Sequence, residues 1–267
     1  MLLSIVIPTF NRNNLLCNCI DRLLPACQLV DNNLYEIIVG DDNPNDTLQG
    51  IIAENYPTVI YNAGPRRGPA ANRNAAARQA KGQWLLFIDD DCIPDEKLLS
   101  SYLSVIKNNR GRILEGCTIT DRARKRVDEE APANSSGGNL WSCNFVIDRN
   151  LFLDLGGFDE NFRFPYLEDV DFRYRATKKE RITFVQQAVV IHPWRRRPAF
   201  EHMGKQVNAH RYFYKKHRER SLKHKFLRFL AFWRESIRLS AQLVRCSFRG
   251  FVVYLEKLIM YFLLIFC

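Results

Sequence analysis

The chain has 267 residues, 46% of them hydrophobic and 25% charged, an ordinary globular composition with room for one large domain or one domain and an appendage. Its eight cysteines are scattered without a CxxC pair, which excludes a zinc site or disulfide framework and leaves buried free thiols in a reducing compartment. The net charge of +10 is uneven: residues 1–200 hold 25 Lys+Arg and 25 Asp+Glu, whereas residues 201–267 hold 14 and 4, so a neutral body carries a basic tail suited to an anionic partner.

Strand and helix patterns alternate through the first half. Leu2 to Ile7 reads as a buried strand ended by Pro8, and Asn13 to Cys27 as a helix with apolar spacing at Leu15, Leu16, Cys19, Ile20, Leu23 and Leu24. The first residues run straight into that strand, leaving no room for a signal peptide. The glycosylation patterns Asn45-Asp46-Thr47 and Asn134-Ser135-Ser136 therefore carry little weight. Tyr35 to Val39 is a second strand, Leu48 to Glu54 a short helix and Thr58 to Tyr61 a third strand. Gly68-Pro69 opens an Ala-rich helix to Gln79, with proline where its missing N–H is harmless. The strand Trp84 to Ile88 follows. Such alternation predicts a parallel sheet covered by helices.

The second half differs. Pro94-Asp95 is expected to start a helix to Asn108, followed by a strand over Arg112 to Thr120 and a long polar loop from Asp121 to Gly138. Trp141 to Ile147 reads as strand, Arg149 to Leu155 as helix, Leu167 to Lys178 as helix and Ile182 to Ile191 as strand. Beyond Pro198 only helical patterns occur.

Asp89-Asp90-Asp91 follows directly on the buried strand Trp84 to Ile88. Three like charges there repel one another and resist ionising together. A divalent cation removes that penalty, and Mg²⁺ or Mn²⁺ takes one or two carboxylates and completes its shell with phosphate oxygens. The acids therefore point to a metal carrying a diphosphate, at the carboxyl end of a strand where open α/β sheets bind ligands. The competing reading is a helix start, but Asp95 already serves the next helix. Arg73 is placed to make a charge-assisted contact with the diphosphate or base, or to be a solvated helix arginine.

Six blocks in order resemble the family-2 glycosyltransferases with a GT-A fold, over roughly residues 3–195. They are Ser4 to Arg12, Ile38 to Asn43, Ala71-Asn72-Arg73-Asn74, Phe87 to Asp91, Leu155 to Glu160 and Leu167 to Asp171. The resemblance implies an α/β GT-A sheet, mainly parallel, with helices on both faces and a C-terminal helical extension. It places Pro8, Thr9, Asn11 and Arg12 beneath a donor nucleotide and assigns Asp41 or Asp42 to a uracil or thymine imide. In Asp89-x-Asp91 it gives the last carboxylate to the metal, Mn²⁺ or Mg²⁺, and the first to the ribose or a metal-bound water, with Asp90 in the same donor site. Some members use a histidine about this far beyond the base as a further metal ligand, which would be His192; the other reading is a partly exposed polar residue at a strand end.

An inverting transfer requires a base opposite the leaving group. The family assigns this to the Asp of its Glu-Asp pair, here Asp169. Glu168 is expected to pair with Arg173 or Arg175, or to touch the acceptor. Gly156-Gly157 would let backbone approach a sugar, with Phe158 beside it, and Trp194 would stack on a sugar or pack in a core.

Residues 205–249 interleave Lys/Arg with Tyr212, Phe213, Tyr214, Phe226, Phe229, Phe232 and Trp233, the pattern of amphipathic helices on an anionic membrane surface. Phe251 to Cys267 is apolar but broken by Glu256-Lys257, too short to span a bilayer. The alternative is a helical cap on the core. No nucleic-acid motif accompanies the charge.

The expectation is a catalytic domain over 1–197 and a basic helical tail over 198–267. The chain would be a metal-dependent inverting glycosyltransferase, cytoplasmic and peripheral on the inner face of the membrane. It would move a sugar from a UDP- or dTDP-sugar to a glycan or lipid-linked hydroxyl acceptor. A sugar-phosphate nucleotidyltransferase would need a Gly-rich signature that Pro8 to Arg12 lacks, and a non-enzymatic scaffold would not keep Asp89, Asp91 and Asp169. No P-loop, H-E-x-x-H or G-x-S-x-G is present.

Overall fold

The structure is a computed structural model that describes residues 1–45, 47–218 and 221–267; Asp46 of the first glycosylation pattern lies outside the described residues. In chain order the elements are β1 (Leu3–Thr9), α1 (Asn13–Leu23), α2 (Pro25–Gln28), a 3₁₀ turn (Asn32–Leu34), β2 (Tyr35–Asp41), α3 (Thr47–Asn55), β3 (Ile60–Ala63), α4 (Pro69–Gln79), β4 (Trp84–Ile88), β5 (Ile93–Pro94), α5 (Leu98–Lys107) and β6 (Ile113–Thr120). Then come β7 (Glu129–Glu130), β8 (Asn144–Asp148), α6 (Arg149–Asp154), α7 (Glu168–Ala176), β9 (Ile182–His192), β10 (Arg195–Arg196), α8 (Met203–Lys216), α9 (Leu222–Arg245) and α10 (Phe251–Leu264). The chain forms two compact units, one of Met1–Thr120 with Pro132–Pro193, the other of Asp121–Ala131 with Trp194–Cys267. The chain thus passes between units at 120, 131 and 193, where the sequence suggested a single boundary after 197.

The first unit is built on a sheet of order β3-β2-β1-β4-β8-β6-β9-β5. Strands β3, β2, β1 and β4 run parallel; β8 is antiparallel to both β4 and β6, and β9 is parallel to β6. Two antiparallel steps restore direction, so the carboxyl ends of β1, β2, β4 and β9 all lie along one edge. Period-2 alternation divides the apolar residues between the faces. Leu3, Ile5, Ile7, Leu86 and Ile88 meet α1, α3 and α5, whereas Val6, Ile38, Leu85 and Phe87 meet α4, α6 and α7.

Several boundaries differ from expectation for identifiable reasons. Strand β1 runs through Pro8 to Thr9, because its pairing with β4 stops at Val6–Phe87 and only the β2 side continues. Helix α1 ends before Pro25, which forces Leu24 into an extended conformation and starts α2. Ile93–Pro94 is a strand paired with β9, so α5 begins at Leu98, and Asp95 Oδ1 instead accepts the Lys97 amide (2.9 Å). In β9, register jumps from Gly116–Val185 to Cys117–Val189, a bulge at 186–188 that sets His192 level with Thr120.

In the second unit β7 pairs antiparallel with β10, so residues 121–131 are not the plain loop expected. Helices α9 and α10 form an antiparallel pair, with Phe232 against Phe262 (6.1 Å between centroids) and Ser240 bonded to Tyr254 (3.1 Å). Arg197 forks onto Glu256 (2.9 and 3.0 Å) and also reaches Glu130 (3.2 Å), which Lys257 meets at 2.8 Å. The Glu256-Lys257 interruption of the apolar tail is therefore an interior ion-pair group. Among the described residues, no helix is long and apolar enough to cross a membrane.

Candidate active site

Beyond Ile88 the three carboxylates leave β4 in three directions, each met by a different element. Asp89 takes Arg73 Nη2 from α4 at 2.7 Å. Asp90 accepts from the Thr9 hydroxyl at the end of β1 (2.7 Å) and from Arg12 Nη1 (3.1 Å). Asp91 Oδ1 lies 3.4 Å from His192 Nε2 at the end of β9. The carboxyl edge of the sheet thus gathers residues from Thr9 to His192, 183 positions apart in sequence. Burial pushes the Asp90 carboxyl up despite Arg12 and Thr9.

Arg73 is 4% exposed, so it is not the solvated helix arginine its sequence position also allowed. Its second arm donates from Nη1 to Glu168 Oε1 (3.1 Å), which ties the end of β4 to the start of α7. Burial opposes its charge, but Asp89 and Glu168 outweigh burial and raise its pKa. Glu168 therefore pairs with neither Arg173 nor Arg175. Arg173 donates to the Gly138 carbonyl, and Arg175 holds Asp171 (2.8 Å) and the carbonyls of Leu155 and Gly157.

Glu168 and the half-buried Asp169 open α7 directly after Leu167, a non-glycine residue at φ +70°. Burial, then the neighbouring Asp169, pushes Glu168 up to about 7. Burial also raises Asp169, with Arg73 opposing and Asp89 adding to the rise. A carboxylate whose pKa is raised is a stronger proton acceptor than an ordinary aspartate.

Asp91, Cys92 and His192 are all buried, with potential ligand atoms within 4.8 Å of one another. Burial pushes the Cys92 thiol well above its ordinary value and keeps it protonated, a state that binds metals poorly. A carboxylate oxygen and an imidazole nitrogen remain, a donor pair that fits Mn²⁺ or Mg²⁺ supplemented by ligand oxygens. Asp89, also expected at the metal, is instead engaged by Arg73 and stands outside this trio.

Pro8 and Thr9 are buried in β1, whereas Asn11 (φ +54°) and Arg12 are exposed just beyond it. Asp41 and Asp42 are both buried at the end of β2. Asp42 is committed to the following loop through the amides of Arg66 (2.6 Å) and Gly68 (2.8 Å). Asp41 accepts from the Asn43 amide and the Tyr61 hydroxyl. Arg67 reaches Glu160 at the surface (2.5 Å).

The expected acceptor side requires correction. Phe158 is 1% exposed and packs among Phe87, Phe145, Phe152 and Phe172, with centroids 4.8–6.3 Å apart, so an incoming sugar cannot reach its ring. Gly157, at φ +66°, makes room for Asn74 rather than for a sugar: an added Cβ would lie 2.6 Å from Asn74 Oδ1. Trp194 belongs to the second unit, where it donates to the Arg122 carbonyl (2.8 Å) and its ring lies under Arg124.

The model of the family described as "Glycosyl transferase family 2" matches residues 4–151, more than half of the chain. The chain belongs to glycosyl transferase family 2. The match ends before Glu168, Asp169 and His192, whose convergence on β4 is seen in the fold alone. An uncharacterized glycosyltransferase of Haemophilus influenzae is 27% identical over 198 residues, 68% of this chain and 64% of that protein. The GalNAc(5)-diNAcBac-PP-undecaprenol beta-1,3-glucosyltransferase of Campylobacter jejuni is 34% identical over 126 residues, 44% of this chain and 38% of that protein. The crystal structure of Staphylococcus aureus TarS 1-349 in complex with UDP-GlcNAc superposes with a TM-score of 0.62 at 20% identity, over 79% of this chain and 65% of that one. The chain spans less than two thirds of the length of each. The shared fold is GT-A.

Within this family-2 domain, two polar residues that the sequence offers only as part of a block, and a third outside every block, have definite tasks. Asn72 and Asn74 flank Arg73 on an Ala-rich helix and are as buried as the alanines. Asn72 donates to the Gly40 carbonyl (2.7 Å), and Asn74 exchanges bonds with Phe158 N and O (2.9 and 2.8 Å). Glu115 in β6 belongs to no block; its carboxylate takes the amides of Gly138, Asn139 and Leu140 and so shapes that loop. The available signal was the helix itself, whose buried face has no large apolar residue.

Proposed function

We propose that this protein is an inverting, metal-dependent glycosyltransferase that moves a sugar from a UDP- or dTDP-sugar to a hydroxyl of a lipid-linked or polymeric glycan. The observation that carries this reading is the bridge from Asp89 through Arg73 to Glu168, which puts the diphosphate-side acids of β4 and the acids of α7 in one electrostatic group. The relatives support the substrate class. One is named for an undecaprenol diphosphate-linked acceptor, another is a poly(ribitol-phosphate) beta-glucosyltransferase, and TarS was crystallised with UDP-GlcNAc.

In this reading Asp169 accepts the proton of the acceptor hydroxyl as its oxygen attacks the anomeric carbon and the bond to the diphosphate oxygen breaks. Arg73 keeps Asp89 and Glu168 in place on either side of the reacting centre, and Asp41 offers a carboxylate to the imide of the base. Asp91 and His192 would hold the metal. When bound, the ion neutralises charge on the departing diphosphate. The Arg12 guanidinium, beside Asp90 and partly exposed, adds positive charge at the donor end.

Supplying UDP-sugar and Mn²⁺ tests the reaction class. Slow release of free UDP without acceptor is the expected result. Release of pyrophosphate from UTP and a sugar 1-phosphate would instead make the protein a nucleotidyltransferase.

A further inference from the structure

Helix α10 buries its charges together with Val253, Met260 and Leu264, and exposes a separate line of apolar residues. Glu256 is fully buried and held by Arg197, and the half-buried Lys257 is held by Glu130. Phe251, Leu255, Ile259, Phe262 and Phe266 follow one another at steps of three or four and are each 39–68% exposed. Helix α9 carries a second such line in Phe226, Leu230, Trp233 and Ile237, 48–70% exposed. Single exposed apolar side chains are ordinary, but two helix-length stripes in one unit are not. Charges turned inward and hydrocarbon turned outward are the arrangement that lipid favours. With about 21 Å of length, α10 falls short of the roughly 30 Å hydrocarbon core, so it can lie along a bilayer but not cross it.

Charge decides between a bilayer and a second copy of the chain. The whole excess of +10 falls in residues 201–267, and Lys225, Arg245 and Arg249 are exposed on or beside the same helices. Pairing two such faces would set cations against cations, whereas an anionic leaflet attracts them. A cavity of about 500 Å³ opens at the amino end of α10, lined by Arg126, Arg196 and Arg197 with Asp128, Phe251 and Val252. Arginine beside exposed apolar side chains suits a phosphate attached to hydrocarbon.

We propose that the α9–α10 face docks in the interface of an anionic lipid bilayer, with a lipid phosphate received in the arginine-lined cavity at the start of α10. The proposal stands whether or not the first unit is a transferase, since nothing in it uses that site. Co-sedimentation of the full chain with vesicles of phosphatidylcholine, alone or mixed with phosphatidylglycerol, tests it. The expected result is preferential binding to the anionic vesicles, weakened by salt, and reduced about tenfold or more in Ile259→Ser/Phe262→Ser. Arg196→Gln, at an exposed guanidinium, is expected to reduce the preference for anionic lipid while keeping the native melting temperature. Equal sedimentation of wild type and the double variant would overturn the proposal. So would a lipid-free dimer that the double variant dissolves, since a second copy would then cover the face.

Discussion

Each unit gathers a group of charges in mutual contact, and the two groups are composed in opposite ways. In the second unit two carboxylates, Glu130 and Glu256, face two cations, Arg197 and Lys257, with a forked pair at 2.9 and 3.0 Å. In the first unit Asp89, Asp90, Asp91, Glu168 and Asp169 face Arg73, Arg12 and the imidazole of His192. The carboxyl groups respond accordingly. Burial would raise Glu130, but Lys257 and Arg197 outweigh it and hold it below the usual range. Asp90, Glu168 and Asp169 are all raised, with burial the leading cause. A balanced group fixes a structure; an acidic excess at a strand end is tolerated where a cation or a proton is to be handled.

The largest effect expected from this contrast is on chemistry. Asp169→Asn removes the proton acceptor while Arg73, Thr9, Arg12 and His192 keep their contacts with the donor-side acids, so transfer should fall about a thousandfold with donor affinity retained. Single-turnover rates with UDP-sugar and calorimetric titration with UDP measure the two separately. Unchanged transfer would place the base elsewhere.

The second unit should answer in stability instead. Arg197→Met leaves Glu256 buried without its forked partner and should cost about 3–5 kcal/mol, read from urea denaturation. Replacing both, Arg197→Met with Glu256→Leu, should recover most of that loss. If the double variant is as unstable as the single, the pair has a role beyond charge balance.

A third substitution separates core from site within the first unit. Phe158→Ala opens a void among four other phenylalanines and should cost about 3–5 kcal/mol. At a temperature where the variant stays folded, its KM for acceptor should be unchanged. A rise in KM alone would return Phe158 to the acceptor site.

What the sequence disclosed follows from how local each cause is. Helix α4 and strand β4 were read to the residue, because Gly68-Pro69, Gly82 and an unbroken apolar run are signals carried within a few positions. The order of strands and helices was legible for the same reason. Pro25 is masked by an apolar spacing that continues to Cys27, although its effect on Leu24 is itself local. The bulge at 186–188, which decides where His192 arrives, depends on the partner strand β6 and leaves no mark on periodicity. The acids at 89–91 were recognisable as a site, but their division among Arg73, Thr9 and His192 was not. Arg73 and Glu168 are 95 positions apart, and only packing selects Glu168 over the nearer Arg173 and Arg175 as the partner of interest. Phe158 beside paired glycines carries the same letters whether it lines a pocket or fills a core.

The contrast between the groups is sharpest in how stability should depend on pH. Glu168 has an ordinary pKa of 4.5 and is pushed up to about 7 by burial and by Asp169. The folded state therefore binds its proton more tightly than the unfolded chain does. The stability this contributes is complete below pH 4.5 and is lost as pH rises towards 7, by an amount on the order of 3 kcal/mol. Glu168→Gln, which keeps the shape and a hydrogen-bonding oxygen for Arg73, removes that dependence. Its melting temperature relative to wild type should climb between pH 4.5 and 7 and then level off. In the second unit Glu130 is depressed, so its contribution has the opposite sign, being present above its unfolded pKa and lost on acidification. Glu130→Gln should therefore lose ground to wild type as pH rises from the acid side. Parallel curves for the two variants would mean that the two groups of charge do not differ in kind.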